Sequence, residues 1–159
     1  MSALRVTILC PHVRVAGGVR AILTYADRLA LNGHDVEIQV PTGSAARAWW
    51  LNARGATSTF IGSLTARVRW VGRWRASRLR EADVLLATAW QSAPVVANAD
   101  ASCGRKFYLV QHYESLYHGR AHAVDATYRL PLRKIVISTW LREVMREKFG
   151  AEADVLVTP

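Results

Sequence analysis

The sequence is poor in sulfur and in acid. Its 159 residues include two cysteines, Cys10 and Cys103, and two methionines. The cysteines stand too far apart for a CxxC pair, which removes zinc-knuckle and dithiol redox motifs and points to a reducing, cytoplasmic setting. Twelve Asp and Glu stand against 21 Lys and Arg, for a formal net charge of +9. Long apolar runs are missing too. The opening "MSALRVTILCP" has about seven apolar residues around one Arg, too short for an export signal or a spanning helix. The expectation is a cytoplasmic protein, at most peripheral on the inner face of the plasma membrane. There is no low-complexity linker and no internal repeat. The dinucleotide fingerprint GxGxxG and the Walker lysine are also absent.

What is present suits one globular domain over 1–159: 51% of the residues are hydrophobic, enough for a real core at this length. Residues 4–10, "LRVTILC", read as a buried strand closed by Pro11. From Val19 the apolar positions Val19, Ile22, Leu23, Ala26, Leu29 and Ala30 recur at helical spacing, and Gly33 is placed to cap that helix. "HDVEIQVP" then alternates Val36, Ile38 and Val40 against Asp35, Glu37 and Gln39, the period of a strand, which Pro41 ends. A strand–helix–strand unit of this kind implies a parallel pair with a right-handed crossover. A weak strand is expected at 57–62 and stronger ones at 83–90, 105–114, 133–139 and 153–159. A small-residue helix is expected at 93–99, and another at 139–150 with Leu141, Val144, Met145 and Phe149 on one face. The alternation predicts an α/β fold with a Rossmann-like, doubly wound, mostly parallel sheet flanked by helices.

In such sheets ligands collect at the carboxyl ends of the strands. That rule selects Pro11 to Gly18, Trp90 and Gln91, Gln111 to Glu114, and Ser138 to Trp140. Gly17 and Gly18 lie where the first strand hands over to the first helix. Two readings stand: the glycines permit a tight turn, or they let an anion approach backbone N–H groups at the positive end of a helix dipole.

The stretch "GGVRAILTYADRLALNGHDVEIQV" resembles the opening of the amino-terminal domain of family 4 glycosyltransferases of the GT-B fold, in which a Gly-Gly loop leads into a helix and then "GHxVxxx". "YLVQHYESLYHG" is similar to the strand and acceptor loop of that family. "ATYRLPLRKIVISTWLREVMREKFG" resembles a stretch of its rhamnosyltransferase-like members. The resemblance implies half of a two-domain enzyme, with the active site in a cleft between two Rossmann-like domains. The first domain holds the acceptor, and the second, donor-binding domain is expected beyond Pro159. The implied activity is retaining transfer of a hexosyl or deoxyhexosyl group from a nucleotide-sugar to a glycan or lipid-linked acceptor in cell-surface polysaccharide synthesis. No metal and no other cofactor is implied, and the chain alone is expected to turn over nothing.

By the same resemblance Gly17, Gly18 and Arg20 would lie at the donor diphosphate, although family members usually carry Glu or another residue where Arg20 stands. His112 would position or deprotonate the acceptor hydroxyl, with Glu114 sharing that work, because an imidazole titrates near neutral pH. Trp90, Gln91, Tyr113 and Ser138 would contact the acceptor. His112 can equally be a strand-end histidine bonded to backbone. The His118–His122 pair has helical metal-ligand spacing but reads as a loop coincidence.

The stretch "LTARVRWVGRWRASRLR", 64–80, holds six arginines and no acid, so most of the net charge is local. Placed on a helix, it sets Arg69, Arg73 and Arg80 opposite Leu64, Val68, Val71 and Leu79, with Trp70 and Trp74 one turn apart. Such a helix suits the headgroup layer of an anionic membrane, which would serve a lipid-linked acceptor. The alternatives are a solvated arginine face and, ranked last because no accompanying motif supports it, nucleic acid. A non-catalytic Rossmann-like module with a basic surface therefore stands beside the enzyme reading.

Overall fold

A computed structural model describes residues 2–57, 63–117 and 120–156 of the chain. Strand β1 (Arg5–Leu9) feeds helix α1 (Gly17–Leu31), which returns to strand β2 (Asp35–Pro41). Helix α2 (Ala45–Ala53) leads towards strand β3 (Arg67–Val71). The second half alternates in the same way: β4 (Val84–Ala87), α3 (Ala93–Ala97), β5 (Arg105–Val110), α4 (Ala121–Tyr128), β6 (Arg133–Val136), α5 (Thr139–Phe149) and β7 (Ala153–Val155). Among the described residues, seven strands form one sheet in the order β3-β2-β1-β4-β5-β6-β7, every pair parallel. This is the α/β, Rossmann-like architecture that the alternation predicts.

The first unit follows its sequence signals closely. Val19, Ile22, Leu23 and Ala26 are the buried face of α1, and they pack on Val6, Ile8, Val36, Ile38 and Val40 from β1 and β2. Gly33 has φ +88°. Its N–H donates to the Ala30 carbonyl at 2.9 Å and the His34 N–H to that of Leu29 at 3.1 Å. Those two bonds form a Schellman cap, which needs the left-handed residue that glycine supplies. On the other face of the sheet Leu85, Tyr108, Val110 and Val136 pack with Val124, Tyr128, Leu141, Val144 and Met145. At α5 the Ser138 hydroxyl accepts from the Leu141 N–H at 3.2 Å and Gly150 ends the helix in the left-handed conformation.

Three expectations are corrected. The stretch 64–80 is not a helix: it contributes β3, then a crossover with one 3-10 turn at Ala76–Arg78. Arg67-Val68-Arg69-Trp70 alternates with period two, so Val68 and Trp70 pack with the α1 face of the core while Arg67 and Arg69 reach the buried Glu37 carboxylate, at 3.5 and 3.7 Å. Strand pairing with β2 therefore outweighs the helical spacing of the same residues. Second, the strands at 83, 105 and 133 stop at Ala87, Val110 and Val136, earlier than their polar tails predict, because those tails turn to build the carboxyl rim. Third, Gly17 and Gly18 form no tight turn. They open α1 itself, with φ outside the left-handed region. The weak strand of 57–62 lies, but for Thr57, outside the described residues.

At the sheet's β3 edge, Asn52 of α2 accepts from the Trp70 N–H at 2.9 Å and donates to the Trp70 carbonyl at 2.9 Å. One side-chain amide thus satisfies both outward groups of an edge residue.

Candidate functional site

The strand order reverses direction between β1 and β4, which is where open α/β sheets form their ligand crevice. There the loops after β1, β4 and β5 and the start of α1 enclose a cavity of about 460 Å³ lined by Pro11, His12, Ala16, Gly18, Thr88, Ala89, Gln111, His112, Glu114 and Tyr117, with Val19 and Ile22 at its base. Another cavity, about 390 Å³, lies over β4–β6 beside α1, but aliphatic side chains make up most of its wall. Polar groups converge at the carboxyl edge instead.

Each wall of the crevice has a local cause. Helix α1 starts with Ala16 as an extended N-cap whose side chain cannot cap, and no acid occupies its first turn. Among the described residues its first amides therefore have no side-chain acceptor, and they sit at the positive end of the dipole. A Cβ at Gly18 would stand 3.1 Å from Gln111 Oε1, whereas one at Gly17 would meet nothing within 4 Å. Gly18 thus lets Gln111 lie close over the helix start, where a side chain would push it aside, and Gly17 leaves open space.

The β4 wall is fixed by Ser92. Its hydroxyl accepts from the Thr88 and Ala89 N–H groups, both at 3.2 Å, while the Thr88 hydroxyl donates to the Leu9 carbonyl at 2.8 Å. On the β1 wall, His12 Nδ1 accepts from the Arg14 N–H at 3.3 Å, which puts the proton of the neutral ring on Nε2. Burial first, then the Arg14 charge, holds this imidazole below its ordinary pKa.

The loop carrying His112 and Glu114 is held from behind. The Tyr128 hydroxyl accepts from the Glu114 N–H at 3.0 Å and donates to the His112 carbonyl at 3.5 Å. The Ser115 hydroxyl donates to the Asp125 carboxylate. Tyr128 is itself packed among Tyr108, Tyr113 and Phe149, with ring centroids 6.0, 6.0 and 4.9 Å away. Burial, then the Glu114 charge, raises the pKa of the Tyr108 hydroxyl well above the ordinary phenol value. Both tyrosines stay protonated, and Glu114 shares their polar environment.

Of the residues singled out in the sequence, Gly18, His112 and Glu114 line this crevice, and Gly17 adjoins it at the helix start. Arg20 points outward in the first turn of α1 and lines no crevice wall. Trp90 packs against the core and Gln91 is exposed, both on the β4 loop but outside the cavity lining. Tyr113 turns its ring into the core, under Lys148 Nζ at 4.8 Å, and the Ser138 hydroxyl caps α5. Neither faces the crevice. His12, Thr88, Gln111 and Tyr117 do, although the motifs gave them no role; the only signal was their place after apolar strands.

The basic stretch divides in two. Arg80 is structural: it pairs with Asp35 at 2.6 Å and also donates to the Thr7 hydroxyl and to the Val6 and Asp35 carbonyls. Trp70 and Trp74 are half-buried, their indole N–H groups donating to the carbonyls of Ala56 and Gln39. Arg69 and Arg73 line a separate cavity. His118 lies outside the described residues, so its pair with His122 has no description. Among the described residues, no three His, Cys, Asp or Glu side chains cluster as a metal site, and no helix is long and apolar enough to cross a membrane.

No protein-family model matches the chain, and no curated protein is significantly similar to it in sequence.

Proposed function

We propose that this chain is the acceptor-side domain of a retaining GT-B glycosyltransferase, moving a sugar from a nucleotide-sugar to a glycan or lipid-linked acceptor. The observation that carries the reading is the close approach of Gln111 to Gly18, such that a Cβ on that glycine would stand only 3.1 Å from Gln111 Oε1. That contact joins the start of α1, suited to an anionic leaving group, to the His112 loop, suited to a hydroxyl. The resemblance of "GGV…GHDVEI", "QHYE" and "TYRLPL" to family 4 enzymes supports the same assignment.

In the proposed reaction the bond from the anomeric carbon to the diphosphate oxygen breaks and a bond to the acceptor oxygen forms. The hydroxyl proton leaves to the diphosphate or to His112, whose loop is pre-positioned by Tyr128. Amides at Gly17 and Gly18 stabilise the charge that develops on the diphosphate. In the proposed enzyme the residues of this chain do this together with a second, donor-binding domain.

The test is an amide-resolved titration of the isotopically labelled chain with uridine diphosphate, guanosine diphosphate and short oligosaccharides. Shifts concentrated at Gly17, Gly18, Gln111 and His112 are expected. Saturable shifts confined to other residues, or sugar transfer by the 159 residues alone, overturn the proposal.

A further inference from the structure

The six arginines of 64–80 fall into two equal groups. Arg67 and Arg69 are matched by Glu37, Arg67 also by Asp35 at 3.4 Å, and Arg80 by Asp35. Glu37 is buried, with only 4% of its side chain exposed, and it also accepts from Gln39 Nε2 at 2.8 Å. A buried carboxylate of this kind needs those cations, so their charge is internally compensated. Among the described residues, Arg73, Arg75 and Arg78 find no ion-pair partner and no side-chain hydrogen bond. All three nevertheless line one cavity of about 470 Å³, which they share with Arg69, Gln39 and the α2 residue Trp49.

Three uncompensated guanidinium groups converging on one concavity repel each other, an arrangement that an anion relieves. The volume lies in the range of about 300–1,000 Å³ typical of small-molecule sites. A guanidinium fork matches phosphate oxygens two at a time. Trp49 is 72% exposed on this wall, and a flat aromatic face there suits a ring attached to the phosphate. The frame is firm: the Gly43 N–H donates to the Gly72 carbonyl at 2.8 Å, holding the ends of β2 and β3 together beneath the site. None of its lining residues belongs to the crevice at β1 and β4.

We infer that Arg73, Arg75 and Arg78, with Trp49, form a second binding site, for a ligand carrying phosphate or diphosphate groups. The glycosyltransferase reading is not needed for this, since the site rests on unmatched charge and shape. The phosphate can be that of a soluble metabolite or of a lipid headgroup, and the experiment separates the two.

Inorganic pyrophosphate is titrated calorimetrically into the wild-type chain, into a variant with Arg73→Gln, Arg75→Gln and Arg78→Gln, and into a charge-matched control with Arg28→Gln, Arg105→Gln and Arg142→Gln. The same three proteins are sedimented with phosphatidylglycerol vesicles and with phosphatidylcholine vesicles. Thermal melts confirm that both variants fold, as expected for exposed side chains. Pyrophosphate binding that falls about tenfold or more in the cavity variant, and less than about twofold in the control, supports a soluble phosphate ligand. The same pattern on phosphatidylglycerol alone supports the site with a headgroup as its source. Equal losses in the two variants, or a wild type that binds neither probe, overturn the inference.

Discussion

The Tyr128 hydroxyl accepts a hydrogen bond from the Glu114 amide at 3.0 Å, across 14 residues of chain. A core aromatic thereby fixes the backbone of the loop that presents His112 to the crevice. Tyr128→Phe keeps the ring and its packing against Tyr108, Tyr113 and Phe149 but removes the hydroxyl that bonds the loop backbone. Stability is expected to fall by about 0.5–1.5 kcal/mol, and hydrogen exchange at the Glu114 amide should accelerate more than at neighbouring core amides. If the Glu114 amide stays as protected as in the wild type, Tyr128 does not hold the loop.

Gly17 and Gly18 separate stability from binding. Both sit in the first turn of α1, where alanine is the better helix former by about 1 kcal/mol. At Gly17 nothing opposes the new methyl group, so Gly17→Ala should raise the melting temperature. At Gly18 the methyl meets Gln111 Oε1 at 3.1 Å, so Gly18→Ala should gain less, with Gln111 displaced. Either methyl narrows the anion approach, and both variants should lose the nucleotide-induced shifts at Gln111 and His112. A Gly17→Ala chain with unchanged shifts would remove Gly17 from the site.

The two thiols report on the core. Cys10 and Cys103 are 0% and 1% exposed, and burial raises the pKa of the Cys10 thiol to about 11. A thiol that is both hidden and protonated is a poor nucleophile. Ellman's reagent should therefore release almost no colour from the native chain at neutral pH and two equivalents after unfolding in guanidinium. Rapid reaction of one thiol before unfolding contradicts the packing described for β1 or for the turn before β5.

The depressed His12 predicts a pH dependence with a definite sign. Its folded pKa lies below the model-compound value of 6.5, so the unfolded chain takes up the proton first as the medium is acidified. Stability from this group is full above 6.5 and is lost as pH falls towards the folded pKa. Between about pH 7.5 and about pH 5.5 the wild-type melting temperature should decline, and His12→Gln should flatten part of that slope. An identical slope in the variant assigns the dependence to other groups.

How much of this was legible beforehand differs along the chain. The β1–α1–β2 unit was readable because its apolar residues repeat at one period per element and Gly33 marks the only conformation that closes the Schellman cap. Helix α2 was not, since Ala48 is its one buried residue and "AARAWWLNA" has no stripe. Strand β3 was hidden for another reason: its exposed arginines have helical spacing, and the Glu37 carboxylate that they reach from the sheet is distant in sequence. The crevice was located by rule, because strands that end in polar residues mark a carboxyl rim. Which side chains face into it was not. Tyr113 and Ser138 turn away because Phe149 and the start of α5 claim them, and those contacts exist only in the folded chain.

Asn52 finally bears on how the protein behaves in company. A parallel sheet has no intrinsic size, and each edge strand is a template that another chain can extend. At β3 the template is interrupted at Trp70 by a single carboxamide, which imitates one residue of a further strand. A strand adding beside Trp70 would first have to displace that amide. Growth at that edge would break two hydrogen bonds before forming its own, and it would bring copies of a chain of net charge +9 together.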